Sequence, residues 1–546
     1  MATTYTPPTL IEAMRALEDG THPAPTGGAG LGIYDRRGKN LDRRPYAEVV
    51  GRARAWGAWF LSQGVKPGEV VYLCLPTGHE LIEAFLGASL VHALPCNVAL
   101  PRAIGGLDAF QRRLSYLSDR FPGGHLVTTP DVAESLERPA WTPPTLDLTQ
   151  QAPLDAVDPN SLCYVQLTSG STSLPKAVAI THANLAANSR GIFVGGTGDA
   201  TRDTFLGWLP LYHDMGLVGI AFTAFFHGAS LGLMRPETFV GSPLRWLTAI
   251  SEVPGKAVNC APNFGYQWCV DRIRPDKLKG LDLSPWRLAG VGAEMVRPGT
   301  LTAFQERFGP YGFPTTTLSP CYGMAETTLA VTFTHSAREP VLHEGRVSCG
   351  SKIEGLEIEI RDSEAGELVE DRVEGEIVVI GSSVFAGYFM DEAATAEALR
   401  EGRFYSGDLG YLHEGDLYVT GRLKDLIILD GANVAPHELE WVAEQHVDMD
   451  GGRAAAFSLE VGTREVPVLI VETKTAPEQS VIDAVKGQAA TDIAPLHELV
   501  FVRRGCLPKT SSGKVMRGRV KVLYLEGGLD VLWRSRDENA TPKESS

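Results

Sequence analysis

Along the first 150 residues, apolar positions alternate between long helical stretches and short solid runs. Residues 47–63 combine helix formers with apolar residues and stop at Gly64, which predicts a helix with a glycine at its C-terminal end. Residues 69–75 are a short apolar run of strand type, residues 80–93 return to helix, and residues 94–100 read as extended up to Pro101. This β–α alternation predicts a mainly parallel, buried sheet. Proline-rich punctuation at 139–153 separates it from a second α/β stretch over 161–334. The texture then changes to short alternating runs at 356–361, 376–380 and 416–420, with Gly and Asp between them, which predicts antiparallel pairs. From 426 a smaller unit begins: a helix at 436–445, strands at 454–459 and 466–472, and a helix at 481–491. The expected fold is α/β, with a large multi-subdomain N-terminal domain (1–422) and a small mobile α+β C-terminal domain (423–533). A polar tail, 534–546, is expected to be disordered.

Composition narrows the function classes. Hydrophobic residues at 44% and charged residues at 21% suit a soluble enzyme with a sizeable core. A formal charge of −16 disfavours nucleic acid or an anionic membrane as partner, so any phosphate bound is expected to be a small ligand in a local pocket. The eight cysteines form no C-x-x-C pair; neither a zinc cage nor a disulfide framework is indicated, and a reduced, cytoplasmic compartment fits. Residues 1–20 lack a basic start followed by an apolar run, so no signal peptide is expected. Residues 215–234 carry no Asp, Glu, Lys or Arg; with His227 and four glycines they read as a buried helix rather than a membrane span.

The most informative stretch is Thr168-Ser169-Gly170-Ser171-Thr172-Ser173-Leu174-Pro175-Lys176. An apolar run over 162–167 delivers the chain into a loop of hydroxyls and a glycine, and a strand at 177–180 leads to Thr181, a good helix N-cap. Small residues let backbone N–H groups approach a polyphosphate, hydroxyls donate hydrogen bonds, and Lys176 adds a positive charge. The Walker spacing is absent.

Four further motifs follow in order: Tyr322-Gly323-Met324-Ala325-Glu326-Thr327, Tyr405-Ser406-Gly407-Asp408, Gly421-Arg422-Leu423-Lys424-Asp425, and Pro508-Lys509-Thr510-Ser511-Ser512-Gly513-Lys514. Together with the hydroxyl loop they closely resemble the adenylate-forming superfamily of acyl-CoA synthetases, adenylation domains and luciferases, over nearly the whole chain. Trp208-Leu209-Pro210-Leu211-Tyr212-His213-Asp214-Met215-Gly216-Leu217, Ala261-Pro262-Asn263-Phe264-Gly265-Tyr266 and Val291-Gly292-Ala293-Glu294 resemble the fatty acyl-AMP ligase branch. Two stretches depart from it. The insertion typical of that branch after the Glu326 motif is shortened, with Val347-Ser348-Cys349-Gly350 following only 21 residues on, and Gly431 to Glu440 looks more like CoA ligases.

The resemblance implies ATP and Mg²⁺ as cofactors and a carboxylic acid as substrate. The acid is activated as its adenylate, then passed to the phosphopantetheine of an acyl carrier protein. Alternatives are a ligase using free CoA and a stand-alone enzyme adenylating an amino acid or small acid. Thr168 to Lys176, including Ser169, Gly170, Ser171 and Thr172, would hold the β- and γ-phosphates, and Glu326 would bind Mg²⁺. Asp408 and Arg422 would hold the ribose, Tyr322 would stack on adenine, and Gly292, Ala293 and Glu294 would line the base, with Gly323, Met324 and Ala325 beside them. Family patterns often have Thr at Ala325, and Thr327 is the candidate to supply the hydroxyl that alanine lacks. Lys514 would bridge the acid carboxylate and the α-phosphate. Lys424 matches the hinge about which the small domain rotates. His213 is expected at the mouth of the acid pocket. A basic cluster of Arg503, Arg504, Lys509, Arg517, Arg519 and Lys521 is the candidate surface for an acidic carrier or for CoA phosphates.

Overall fold

The structure, a computed structural model, describes residues 6–22, 29–39, 41–101, 106–121, 123–168, 175–335, 337–429, 432–449, 452–461, 464–509 and 514–535. Ser169, Gly170, Ser171 and Thr172 of the hydroxyl loop lie outside these residues, as do Ser511 to Gly513 and the tail from 536.

The predicted helix of 47–63 is observed over Tyr46–Ser62, and Gly64 follows it at φ +81°. Strands Leu94–Asn97, Val70–Cys74 and His125–Thr128 pair in parallel as expected, with helix His79–Leu90 as the crossover between the first two in sequence. The larger sheet has nine strands and belongs mostly to the second stretch. Its centre is parallel: Leu318–Gly323, Trp286–Gly292, Lys256–Pro262, Asp203–Gly207, Ser230–Leu233 and Gly30–Tyr34, in that order. Antiparallel strands close both edges, Leu41–Pro45 on one side and Ala330–Phe333 followed by Ser351–Lys352 on the other. The runs at 356–361, 376–380 and 416–420 belong to an antiparallel sheet of Leu356–Arg361, Gly375–Gly381, Arg403–His413 and Asp416–Arg422.

Residues 215–234 do not form one helix. Met215–Phe222 is a π-helical segment, Thr223–Phe226 a single α turn, and Ser230–Leu233 a central strand. Gly228, at φ +63°, ends the helical part. The stretch is buried as expected. Among the described residues, no helix is long and apolar enough to cross a membrane.

The smaller C-terminal domain builds its own mixed sheet. Ala454–Val461 pairs antiparallel with Arg464–Thr473, which pairs in parallel with Glu498–Arg503, which pairs antiparallel with Val531–Arg534. Helices Pro436–His446 and Gln479–Asp492 bury apolar residues against one face. Arg534, read from sequence as the start of the tail, instead ends the edge strand and pairs with Glu498. Among the described residues, ion pairs of Arg346 with Glu438 at 2.9 Å and of Arg297 with Glu444 connect this domain to the large one.

Candidate active site

A cleft of about 1830 Å³ opens at the C-terminal ends of the parallel strands and receives side chains from both domains. Ligands of open α/β sheets bind at that edge, where loops leave the strands.

One corner of the cleft is a chain of three side chains. Tyr322, on strand Leu318–Gly323, donates its hydroxyl hydrogen to Asp408 Oδ2 at 2.9 Å, and Arg422 Nε donates to Asp408 Oδ1 at 2.5 Å. Asp408 and Arg422 are Cα partners on paired strands, so the sheet register sets their contact. Asp408 is also fixed through its backbone, which donates to Ser406 Oγ at 3.0 Å. Its carboxylate is buried, and its charge raises the pKa of Arg422 further above the usual guanidinium range.

Glu326 stands on a tight turn after strand Leu318–Gly323. Gly323 is required there, because a Cβ would lie 1.8 Å from the carbonyl oxygen of Leu329. Tyr388 donates to Glu326 Oε1 at 2.9 Å, and Lys176 Nζ lies 4.4 Å from the centre of the Tyr388 ring. One tyrosine therefore links Lys176 to the acidic turn. Thr168 and Lys176 close the neck of the hydroxyl loop: Thr168 N donates to Lys176 O at 2.9 Å and Lys176 N to Thr168 Oγ1 at 3.2 Å.

Two expectations are corrected by this geometry. Thr327 is fully buried, and its hydroxyl is spent on the carbonyls of Met324 at 2.9 Å and Leu329 at 3.2 Å, so it cannot stand in for a hydroxyl at position 325. Gly292 does not line the cleft either; it lets the chain pass Cys321, whose Sγ would be 2.6 Å from a Cβ. Ala293 and Glu294 do line it, Ala293 in a left-handed conformation at φ +64° and Glu294 accepting from Phe264 N at 2.7 Å. Tyr322, Gly323, Met324, Ala325 and Glu326 line it as well.

Asn188 carries no motif, yet it organises the acidic turn. It is fully buried on helix His182–Gly195; its amide nitrogen lies 2.9 Å from Ala330 O and 3.1 Å from Thr327 O, and its Oδ1 accepts from Ala330 N at 3.0 Å. Asn184, one turn earlier, donates to Ser382 O and Val384 O. Phe385 N then donates to Glu326 O at 2.9 Å. The signal in the sequence was two asparagines four residues apart inside a helix, a place that disfavours them without tertiary partners.

His213 lines the cleft with its ring 4.8 Å from that of Tyr212. The preceding carbonyls are pinned, Leu211 O by Asn97 at 2.8 Å and Tyr212 O by Gln166 at 2.7 Å. Asp214 follows as the N-cap of the π-helix, accepting from Met215 N at 2.7 Å. Burial pushes its carboxyl up to about 6, with Glu326 adding to the rise while Met215 N and Lys514 oppose it.

Lys514 reaches this cleft from the C-terminal domain. Its surroundings depress its pKa, first by desolvation and then through Arg422, while Asp214, Glu294 and Asp408 pull the other way. The chain before it is anchored by Glu472, a fully buried carboxylate. Glu472 accepts from Gly505 N (2.8 Å), Leu507 N (2.9 Å), Arg453 N (3.0 Å) and Lys509 Nζ (3.1 Å). Lys509 and Val515 then form an antiparallel bridge that brings the lysine back.

Much of the expected basic surface is consumed by such pairings. Arg517 forks onto Glu440 (2.6 and 2.8 Å) and reaches Asp425 at 3.2 Å, Lys509 is held by Glu472, and Arg503 pairs with Asp530 at 2.7 Å. Of this cluster, Arg519 points to solvent. Lys424, on the Leu423–Asp425 turn between the two domains, lines the cleft, and desolvation lowers its pKa.

The model of the AMP-binding enzyme family matches residues 113–389. A putative acyl-CoA synthetase of Caulobacter vibrioides is 32% identical over 95% of this chain and 96% of its own length. The medium-chain-fatty-acid–[acyl-carrier-protein] ligase JamA of Moorena producens is also 32% identical, over 91% of this chain and 92% of its own. A solved structure from work on fatty acyl-adenylate ligases of E. coli and L. pneumophila superposes with a TM-score of 0.83 at 33% identity, covering 95% of this chain and 98% of that one. By the family model it matches and by these relatives, the chain belongs to the AMP-binding enzyme family.

Proposed function

We propose that this chain activates a fatty acid as its acyl-adenylate at the expense of ATP and passes the acyl group to the phosphopantetheine thiol of an acyl carrier protein. The observation that carries the reading is the continuity of the cleft. Asp408, Arg422, Glu326 and Lys514 line the same cleft as an apolar group of side chains, Phe193, Phe205 and Leu288, which we read as its apolar branch.

In the first half-reaction a carboxylate oxygen attacks the α-phosphorus and pyrophosphate leaves. The protein has only to align the two anions and neutralise charge. Asp408 accepts from the ribose hydroxyls, held in place by Tyr322 and Arg422. Lys176 faces the β- and γ-phosphates. Lys514 bridges carboxylate and α-phosphate, and its depressed pKa reflects a cation kept partly dry until anions arrive. Glu326 fits as a Mg²⁺ ligand: it is a hard carboxylate on the cleft wall, supplied with one hydrogen bond and no ion pair among those described. A single carboxylate beside substrate phosphates is the usual way this ion is held, and it would add charge neutralisation there. His213, which lines the cleft, is read as the mouth of the acid pocket.

Lys424, on the Leu423–Asp425 turn, is our candidate hinge, and rotation there would withdraw Lys514 so that the thiol can reach the acyl carbon and expel AMP. A CoA thiol as acceptor is the second reading. It is favoured by the Caulobacter relative and by the Pro436–His446 helix, whose His437 and Trp441 line the cleft. The test is pyrophosphate release across fatty, aryl and amino acids, followed by intact-mass analysis with CoA and with phosphopantetheinylated carriers. Fatty acids are expected to give the fastest release and a carrier the faster thioester. Release confined to amino or aryl acids would overturn the substrate, and thioester on CoA alone would overturn the acceptor.

A further inference from the structure

The apolar branch of the cleft runs back along the parallel strands, away from the nucleotide side. Phe205, Val258 and Leu288 line it from three neighbouring strands, with Phe193 and Ile220 from the covering helices. At its far end stands Arg287. The register between strands Lys256–Pro262 and Trp286–Gly292 jumps there: Ala257 faces Trp286 and Val258 faces Leu288, so Arg287 is the extra residue of a bulge. Bulges re-aim side chains, and here both Arg287 and Leu288 line the branch.

All three guanidinium nitrogens donate hydrogen bonds. Nε donates to Asp203 Oδ1 at 3.0 Å and Nη2 to Asp203 Oδ2 at 2.6 Å, while Nη1 donates to the carbonyl of Gly196, just past the C-terminal end of helix His182–Gly195. The Asp203 side chain is 1% exposed and that of Arg287 21%. The group is thus a neutralised ion pair on the wall of the apolar branch, not an open cation receptor.

We infer that the Arg287–Asp203 pair closes the acyl tunnel and sets the length of fatty acid accepted, which makes medium-chain acids the substrate class. This rests on the reading of the cleft as a fatty-acid site. From Gly292 to Arg287 the strand advances five residues at about 3.3 Å each, roughly 16 Å. An extended hydrocarbon built of 1.52 Å bonds advances about 1.3 Å per carbon, so the tunnel holds a chain of about twelve carbons. Within it each methylene is worth about fourfold in kcat/KM. Beyond it a longer chain must break a buried ion pair and leave Asp203 unpaired, so the fall is steep.

The test is pyrophosphate release by the full chain over saturated acids from hexanoate to octadecanoate, with dodecanedioate included. Two variants are compared after melting curves: Arg287→Ala combined with Asp203→Asn, which orphans no buried charge, and the milder Arg287→Lys, which keeps the charge but not the fork. The double variant is expected to move the optimum about three carbons longer, the span of side chain removed, and to raise the rate on hexadecanoate relative to decanoate about tenfold. Arg287→Lys should move it in the same direction by less. An unchanged optimum in a folded variant overturns the gate while leaving fatty-acid activation intact. Preference of the unaltered enzyme for dodecanedioate overturns it too, by making Arg287 a receptor. If no saturated acid of any length releases pyrophosphate, the functional reading fails and takes the tunnel with it.

Discussion

Asp408 and Lys514 face the same cleft but are held there by different means. Asp408 sits within a sheet, opposite its partner Arg422 in strand register, with Tyr322 pointing in from a second strand. Lys514 follows a loop whose anchor, Glu472, holds the chain before it rather than the lysine itself. The first arrangement is preorganised by backbone pairing. The second depends on buried charge and on the docking of the C-terminal domain, which fits a group needed in one half-reaction and in the way in the other.

Variants in the two regions should therefore fail differently. The largest stability effect is expected for Arg517→Ala, which strands the buried Glu440. A partly exposed arginine in such a pair is worth about 2–3 kcal/mol, read as a lower denaturation midpoint of the C-terminal domain. Burial opposes ionisation of Glu440, but Arg517 outweighs it and holds the carboxyl below its ordinary value. The contribution is thus complete above the unfolded carboxyl pKa of about 4.5 and lost as pH falls through the lower folded value, so parent and variant should converge in acid. Equal midpoints at neutral pH would contradict it.

Asn188→Ala is next, at about 2 kcal/mol, because it leaves the Ala330 backbone groups unpaired in the core. Here the prediction is specific to the large domain: the apparent Mg²⁺ requirement should rise as the Glu326 turn loosens, with Lys514 accessibility unchanged. Glu472→Gln is expected to slow adenylation about tenfold through loss of charge-assisted bonds, with KM for ATP unaltered. A parallel loss in acyl transfer from supplied acyl-adenylate would reduce Glu472 to a folding role.

The smallest effect is expected at Asp214. Its raised pKa means that its contribution is favourable below the unfolded value near 3.8 and is lost as pH rises through about 6. Asp214→Asn, which keeps the N-cap acceptor, should stabilise the nucleotide-free protein at pH 8 by about 1 kcal/mol after solvent screening and do nothing at pH 3. Thermal melts at the two pH values decide it.

The same contrast explains what could be read from sequence. The parallel strands of residues 70–128, the N-cap at Thr181 and the helix after Pro436 follow local rules of periodicity and capping, and they form as expected. The motif residues Tyr322, Asp408, Arg422, Glu326 and Lys514 meet in one cleft. What could not be read is tertiary. Asn188 and Glu472 act through backbone groups up to 142 residues away, and the sequence does not show which groups those are. Arg517 read as part of a partner surface because charge in sequence does not show which carboxylate it meets. The run at 215–234 broke into a π-helix and a strand because apolar composition is shared by buried helices and central strands.

The central claim is that one active site is assembled from two domains and that Lys514 is needed for adenylate formation alone. Single-turnover quench-flow on Lys514→Ala tests it directly, with the two half-reactions followed separately: pyrophosphate release from ATP and fatty acid, and acyl transfer from supplied acyl-adenylate to a carrier thiol. The expected result is a loss of roughly 10²–10³ in the first with ATP binding retained, and a second step within a factor of about two of the parent. Undiminished pyrophosphate release, or an equal loss in both steps, would contradict it.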